Sequence, residues 1–209
     1  MTLTTACAYG PVVQATLWQQ TKIGGQDFSL INLEHPEVDA RVIAEMETGV
    51  EVYYDRRWSI TQNFTEWLAK DLSLFAGKKV LILGAGVGAE TVLLGQHAEH
   101  VWLNDLAPTA LELCAEQMTQ NGLSNFTCLL GRYEELSLPT VDLVVGSFLI
   151  YNDETLAAMQ SFLQKHTGPV ILVNERLAPF PKFLKSQPHS IAFQKEDAIG
   201  VFLENSAPS

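Results

Sequence analysis

Residues 80–88 read VLILGAGVG, and this stretch decides the fold. An unbroken aliphatic run is typical of a strand that is buried on both faces of a parallel sheet. The glycines that follow let the backbone turn sharply and come close to a ligand, because glycine has no Cβ atom. Residues 89–96 are predicted to form a helix, whose N-terminus would then face that ligand. The stretch therefore predicts a strand, a tight turn and a helix that together hold a bound molecule.

A carboxylate follows the next predicted strand along the chain. The apolar run 101–103 ends at Asn104 and Asp105. In a parallel sheet this acid lies beside the tip of the first strand, where it can accept hydrogen bonds from both hydroxyls of a ribose. Strand, glycine turn, helix, strand and acid together predict an α/β fold that binds a nucleoside.

Two nucleoside ligands agree with the glycine turn. Gly84, Gly86 and Ala89 satisfy the Gly-x-Gly-x-x-Gly/Ala pattern of a dinucleotide site, and Asp105 lies in the expected range. The spacing Gly84, Gly86 and Gly88 is instead the pattern of class I S-adenosylmethionine (SAM) methyltransferases. The turn alone does not distinguish the two ligands.

The segment after Asp105 favours the second ligand. Residues 105–123 read DLAPTALELCAEQMTQNGL. Pro108 suits the first turn of a helix, and Asn121 with Gly122 suits its left-handed end. The segment resembles the methyltransferase pattern D-x-x-P-x-A-x-E-x-x-x-x-N-x-x-x-N-G-L, with Gln117 where Asn is common. The chain is therefore identified as similar to class I methyltransferases, and the resemblance implies SAM as cofactor.

Composition and charge limit the other functions. An apolar share of 47 % argues against disorder, and the net charge of −11 should repel nucleic acid and attract a basic protein surface. No apolar run is long enough to span a bilayer, so we expect no membrane partner. The N-terminus lacks signal-peptide features, and the sparse Cys7, Cys114 and Cys128 predict neither disulfides nor a zinc site. We therefore expect a cytoplasmic protein.

The order of predicted elements defines the fold class as α/β. We expect a Rossmann-like doubly wound sheet with an antiparallel last strand, plus an N-terminal β-hairpin and helix. A single domain would span residues 1–209, with the hairpin and connector in 1–58 and the SAM-binding core in 59–209. The predicted hairpin strands are 12–19 and 27–33, joined by a loop at 22–26. The other predicted elements are helices 37–47, 59–74, 107–120 and 153–166 and strands 125–130, 141–147, 169–175, 189–195 and 199–204.

Three features resemble the protein-lysine methyltransferase-like branch more closely. They are the N-terminal hairpin, Trp58 just ahead of a helix, and the strand exit at 144–156. The resemblance implies a protein substrate and a lysine nucleophile. Three positions depart from the pattern: Ile82 and Phe148 stand where many relatives carry an acid, and Arg132 stands where Asp contacts adenine. These departures leave open a small-amine acceptor, or a protein that binds SAM without catalysis.

Candidate site residues follow from this resemblance and from the chemistry of methyl transfer. A lysine must be neutral to attack, so we predict that Phe148, Leu149 and Tyr151 contribute to an apolar channel and that Asp153 or Glu154 takes the proton through water. His97 and His100 lack a third ligand, so no metal is predicted. The predicted cofactor-binding residues surround the glycine turn and the strand exits: Trp58, Gly84, Ala85, Gly86, Gly88, Asp105, Leu106, Arg132, Tyr133 and Ser147.

Overall fold

An antiparallel hairpin leads into the sheet. The computed structural model describes residues 16–205, so the predicted strand residues 12–15, Cys7 and the chain's last four residues lie outside the described part. Strands β1 (Trp18–Ile23) and β2 (Gln26–Ile31) pair through a two-residue turn. The hairpin prediction is confirmed, but the predicted loop at 22–26 was too long. Gly24 and Gly25 both have positive φ, 57° and 84°, which is the conformation that a tight hairpin turn requires.

A seven-stranded sheet forms the centre of the molecule, in the order β5-β4-β3-β6-β7-β9-β8. The class of fold predicted from the sequence is confirmed. The first five of these strands are parallel, and β9 runs antiparallel between β7 and β8. The antiparallel last strand therefore lies one position inside the edge, not at the sheet end as expected. The strands are β3 (Lys79–Leu83), β4 (His100–Asp105), β5 (Phe126–Leu130), β6 (Leu143–Ser147), β7 (Gly168–Glu175), β8 (His189–Lys195) and β9 (Ala198–Asn205).

Helices cover both faces of this sheet. Most of their bounds agree with the sequence, but the helix predicted to run to residue 74 ends at Leu68 and is followed by a 3₁₀ turn, Leu72–Leu74. Asp71 accepts a hydrogen bond from the Ser73 N–H at 3.1 Å and so begins that separate turn. The N-cap position of the helix itself, Ser59–Leu68, is Trp58. The helices are α1 (Pro36–Met46), α2 (Ser59–Leu68), α3 (Ala89–His97), α4 (Pro108–Gln120), α5 (Asp153–Lys165) and α6 (Phe180–Leu184).

Strand β3 joins the two layers of the core. Val80 and Ile82 pack with residues of α2 and α3 on one face, while Leu81 and Leu83 pack with residues of α5 and α6 on the other. This is the alternation expected of a strand, with both sets of side chains buried. Ile82 is thus a core residue.

The carboxyl ends of β3, β4 and β6 form a crevice. The chain leaves β3 toward β4 on one side, and β6 returns on the other side of β3. Such a switch in strand order opens a crevice at the carboxyl edge of the sheet, where open α/β folds bind their ligands. No helix of residues 16–205 has the length and apolarity needed to cross a bilayer.

The N-terminal elaboration packs beside this crevice. Ile31 and Val38 share an apolar cluster with Ala107 and Ala110 of the α4 region. The Gln117 side chain accepts a hydrogen bond from the Ile31 N–H at 3.0 Å. The hairpin and α1 are therefore held directly against the segment that follows Asp105.

Glu45 links α1 to the first turn of α4, and we expect its loss to destabilise the protein. This buried carboxylate accepts hydrogen bonds from the Tyr54 hydroxyl and, at 2.7 Å, from the Thr109 N–H. Glu45→Leu leaves both donors without an acceptor, which should cost roughly 2–4 kcal/mol of unfolding free energy. Urea denaturation measures the loss, and Glu47→Leu on the exposed end of α1 is the matched control. Equal stability of the two variants would contradict the role of Glu45.

Candidate functional site

A cavity of about 940 Å³ lies at the carboxyl ends of β3, β4 and β6. The glycine turn forms its floor, α2 and the connector that precedes it form one side, and the exit of β6 forms another. All of the predicted cofactor-binding residues line this cavity. The structure thus brings together positions that are as far apart in the chain as Trp58 and Ser147.

The glycine turn adopts the backbone that its sequence predicts. Gly84 and Gly86 have φ values of 58° and 50°, which L side chains rarely adopt. A Cβ atom on Gly84 would lie 2.5 Å from Leu149 Cδ2, so the turn also depends on the missing side chain. The buried Ala85 donates its N–H to Asn104 O at 2.8 Å. These contacts hold the turn against the tip of β4.

Asp105 is fixed by the same turn. Its Oδ2 accepts the Gly86 N–H at 2.8 Å, and its Oδ1 accepts the Ala107 N–H at 3.0 Å. Desolvation raises the pKa of the Asp105 carboxyl, and these backbone hydrogen bonds act against that rise. A carboxylate has lone pairs for further donors, so Asp105 can also accept ribose hydroxyls. Its orientation is set before any ligand arrives.

The side of the cavity next to β5 suits an adenine ring. Leu106 is 55 % exposed and lines the cavity, and Tyr133 packs edge-on against Phe162 at 5.7 Å between ring centroids. Arg132 Nε lies 2.6 Å from Glu134 Oε1. The Arg132 side chain cannot accept a hydrogen bond from an adenine amino group. Glu134, which lines the same side of the cavity, has carboxylate oxygens that can accept one.

Ser147 and Trp58 line the opposite side. The Ser147 and Thr61 hydroxyls lie 3.0 Å apart, which ties the exit of β6 to α2. Trp58 donates its indole N–H to Tyr53 O at 2.7 Å, so its ring is held in one orientation. Both residues are positioned from outside the glycine turn, by α2 and by the connector.

Four aromatic rings form a continuous surface at this side, which we call the aromatic wall: Tyr53, Trp58, Phe148 and Tyr151. Successive ring centroids lie 5.4, 5.8 and 4.8 Å apart, from Tyr53 through Tyr151 and Phe148 to Trp58. Phe148 has a φ of 56°, a strained conformation for a non-glycine residue and one that is found at functional sites. Desolvation raises the pKa of Tyr151 to about 12, so its phenol is protonated at neutral pH.

The two predicted catalytic residues are placed differently. Tyr151 lines the cavity, whereas Asp153 is exposed on the first turn of α5 and does not line it. Its neighbour Glu154 does line the cavity, and Asn152 and Thr155 form the capping box of α5. Glu154 Oε1 lies 3.3 Å from Arg132 Nη1, so the acid at this end of the site is paired with a cation.

The sequence did not reveal Glu90, Arg57 or Thr61 as site residues, although all three line the cavity. An acid in the first turn of a helix, such as Glu90, resembles an ordinary favourable charge near the helix N-terminus. Its only sequence signal is its place directly after the glycine turn. In residues 16–205 no cluster of His, Cys, Asp and Glu is suited to a metal ion.

Comparison with known proteins identifies the type of fold. Residues 80–167 match the family described as methyltransferase domain. EEF1A lysine methyltransferase 3 of Xenopus tropicalis is 35 % identical over 100 residues, which are 46 % of this chain and 44 % of that protein.

Solved structures agree over more of the chain. The Thermus thermophilus 16S rRNA methyltransferase RsmC, solved with AdoMet and guanosine, covers 91 % of this chain at a TM-score of 0.60 and 16 % identity. The match to the N-methyltransferase NodS of Bradyrhizobium japonicum, solved with S-adenosyl-L-homocysteine, covers 69 % of this chain and 86 % of NodS, with a TM-score of 0.54 and 16 % identity. The chain spans about half the length of the relatives matched first, 44 % of the lysine methyltransferase and 51 % of RsmC. These likenesses establish the shared fold.

Proposed function

We propose that this protein is a SAM-dependent methyltransferase that methylates a protein lysine side chain, because residues 80–167 match a methyltransferase domain and the chain shares its fold with solved methyltransferases. The observation that carries the proposal is the cavity itself. One end has the ribose acid and the glycine turn, and the other end has the aromatic wall. A nucleoside cofactor and a separate acceptor can therefore meet inside one enclosure.

The residues at the first end fit SAM. Asp105 offers its remaining lone pairs to the ribose, and the turn at Gly84 and Gly86 leaves room that side chains would fill. Leu106 and Tyr133 offer apolar surface to the base. SAM, when bound, supplies an already activated methyl group, so the chain's own task is to hold the acceptor in line with it. Alignment of this kind can lower a barrier by about 7–11 kcal/mol.

The aromatic wall suits an amine acceptor. A lysine amine has a pKa near 10.4, so its deprotonation at pH 7 costs about 4–5 kcal/mol. Apolar rings disfavour the hydrated ammonium of the resting side chain, while their faces stabilise the positive charge that develops on nitrogen as the neutral amine attacks the methyl group. The protonated phenol of Tyr151 is not a proton acceptor, so we assign the proton, through water, to Glu154 in preference to Asp153, which does not line the cavity. The wall thus favours the neutral form that attacks.

Three observations support a protein as the acceptor. Gln19, Thr21 and Lys22 of the hairpin line the rim of the cavity, so the N-terminal elaboration contributes to the entrance. The net charge of −11 favours a basic partner and disfavours nucleic acid. The partial relative in Xenopus tropicalis is named a lysine methyltransferase.

Transfer of labelled methyl groups tests the proposal. The purified protein is incubated with methyl-labelled SAM and a lysate of its source cell, and the products are separated by size and digested. We expect label on a protein band, in peptides that contain methylated lysine. Label on small amines alone would favour the metabolite acceptor, and the absence of all label would favour a protein that binds SAM without catalysis.

Tyr151 separates the role of the ring from the role of the hydroxyl. We expect Tyr151→Leu to lower kcat/KM for the labelled protein roughly 3- to 30-fold, because the positive charge on the lysine nitrogen loses an aromatic face that stabilises it. Tyr151→Phe should keep the wild-type value, and both variants should keep the wild-type affinity for SAM. A large loss in Tyr151→Phe would instead make the hydroxyl a participant in the reaction.

A further inference from the structure

Glu90 is a buried carboxylate inside the cavity, and methyl transfer as described above gives it no role. The residue is only 2 % exposed, yet it lines the cavity beside the glycine turn. Its Oε2 atom is buried and accepts no hydrogen bond from the described residues. A buried carboxylate oxygen without a hydrogen-bond partner lowers the stability of the fold, so its presence calls for an explanation.

The glycine turn is shaped around this carboxylate. Both oxygens of Glu90 lie where a Cβ atom on residue 88 would stand, so only Gly88 leaves them room. Thr65 of α2 faces the carboxylate and favours its charged form. Thr65 is one helical turn from Thr61, whose hydroxyl contacts Ser147. Glu90 therefore belongs to the α2 side of the cavity, across the turn from the ribose acid Asp105.

One cation of the protein acts on Glu90, but its hydrogen bonds go elsewhere. The Arg57 guanidinium donates to Ile31 O at 2.7 Å and to Val87 O at 3.5 Å, while its charge favours the ionised form of Glu90. Arg57 also lines the cavity. This part of the cavity thus presents a carboxylate and a guanidinium together, a pattern complementary to a zwitterion.

We propose that Glu90 binds the α-ammonium group of the SAM methionine, with Arg57 as the matching cation for its α-carboxylate. The inference rests on SAM as the cofactor of the proposed function. The ammonium supplies hydrogen-bond donors to a carboxylate that lines the cavity and has one oxygen without a partner among the described residues. Asp105 recognises the nucleoside, and Glu90 recognises the amino-acid end.

Two ligands that differ only in the amino-acid end test this assignment. S-adenosyl-L-homocysteine has the ammonium and carboxylate, and 5′-methylthioadenosine has the same adenosine and thioether without them. By calorimetry, Glu90→Gln should weaken binding of the first about 10- to 100-fold, as for a lost hydrogen bond to a charged group, and leave the second unchanged. Retained binding of 5′-methylthioadenosine also shows that the variant is folded.

A matched control is Glu66→Gln, since Glu66 also lines the cavity but pairs with Lys195 at 2.7 Å. It should bind both ligands as the wild type does. If Glu90→Gln weakened the binding of both ligands equally, or weakened the binding of neither, the assignment would be overturned. Binding needs no acceptor, so a failure of lysine methylation leaves this result intact, whereas a wild type that binds neither ligand would refute SAM itself.

Discussion

Asp105→Ala is expected to weaken SAM binding roughly 10- to 150-fold. Hydrogen bonds from ribose hydroxyls to a carboxylate contribute about 1.5–3 kcal/mol, and alanine offers no side-chain acceptor. The substitution also frees the Gly86 N–H that Oδ2 now accepts at 2.8 Å, so the glycine turn loses one of its links to β4 and keeps the bond from the Ala85 N–H to Asn104 O. Isothermal calorimetry with SAM and with S-adenosyl-L-homocysteine measures the loss.

Asp142→Ala is the matched control for this experiment. Asp142 also accepts a backbone hydrogen bond, from the Lys79 N–H at 2.8 Å, but at the opposite end of β3 and away from the cavity. Its loss should lower stability and leave SAM affinity unchanged. Thermal unfolding of both variants separates a folding defect from a binding defect. If Asp105→Ala bound SAM as the wild type does, the site would be wrongly placed.

Glu90→Gln is expected to stabilise the ligand-free protein at high pH. Burial raises the pKa of Glu90 to about 7 from 4.5, while Arg57 on the connector and Thr65 on α2 act against that rise. The charge of Glu90 also acts on the thiol of Cys114 on α4. Burial raises the pKa of this thiol, so the thiol stays neutral. At pH 8 the folded wild type must therefore hold an ionised carboxylate in a desolvated place.

The sign of the pH dependence follows from proton binding. Between pH 4.5 and 7 the folded state holds the proton of Glu90 while the unfolded chain releases it, so stability falls as pH rises through this window and stays low above it. The full effect is about 3 kcal/mol. Glutamine does not ionise, so the variant should unfold roughly 5–10 °C above the wild type at pH 8.

Scanning calorimetry at pH 8, 6 and 5 checks this expectation. The difference between Glu90→Gln and wild type should shrink toward pH 5, where the wild-type carboxyl is protonated in the fold. A difference that does not change with pH would show that ionisation of Glu90 is not its cause. If Glu90 also binds the SAM ammonium, this result would mean that the carboxylate that binds the cofactor lowers the stability of the ligand-free protein.

The nucleoside end of the site could be predicted because its signals are local in the chain. The run before Gly84, the glycine spacing and Asp105 specify a strand, a turn and an acid within a short segment. Parallel pairing of β3 with β4 then brings the acid to the turn without further information. Hydrophobic periodicity likewise predicted most helices and strands.

On the other sides of the cavity, Trp58, Ser147 and Tyr151 were predicted only through the family resemblance, and Glu90, Arg57 and Thr61 were not predicted. These residues come from the connector, α2, α3 and the exit of β6, and nothing in the local pattern of any one segment refers to the others. Glu90 resembles a common helix-terminal charge in sequence, and the sequence alone does not distinguish between the adjacent acids Asp153 and Glu154, of which only Glu154 lines the cavity. The hairpin bounds were wrong for a related reason, since a tight turn at Gly24 and Gly25 is fixed by positive φ and not by composition.

The amino-acid sequence by itself therefore determined the class of fold, the glycine turn and the acid beside it, because backbone preference and periodic burial act over neighbouring residues. Only the tertiary structure decided which charged groups lose their water and face one another. Desolvation depends on everything packed around a side chain, and in this protein it distinguishes the buried Glu90 from exposed acids such as Asp153.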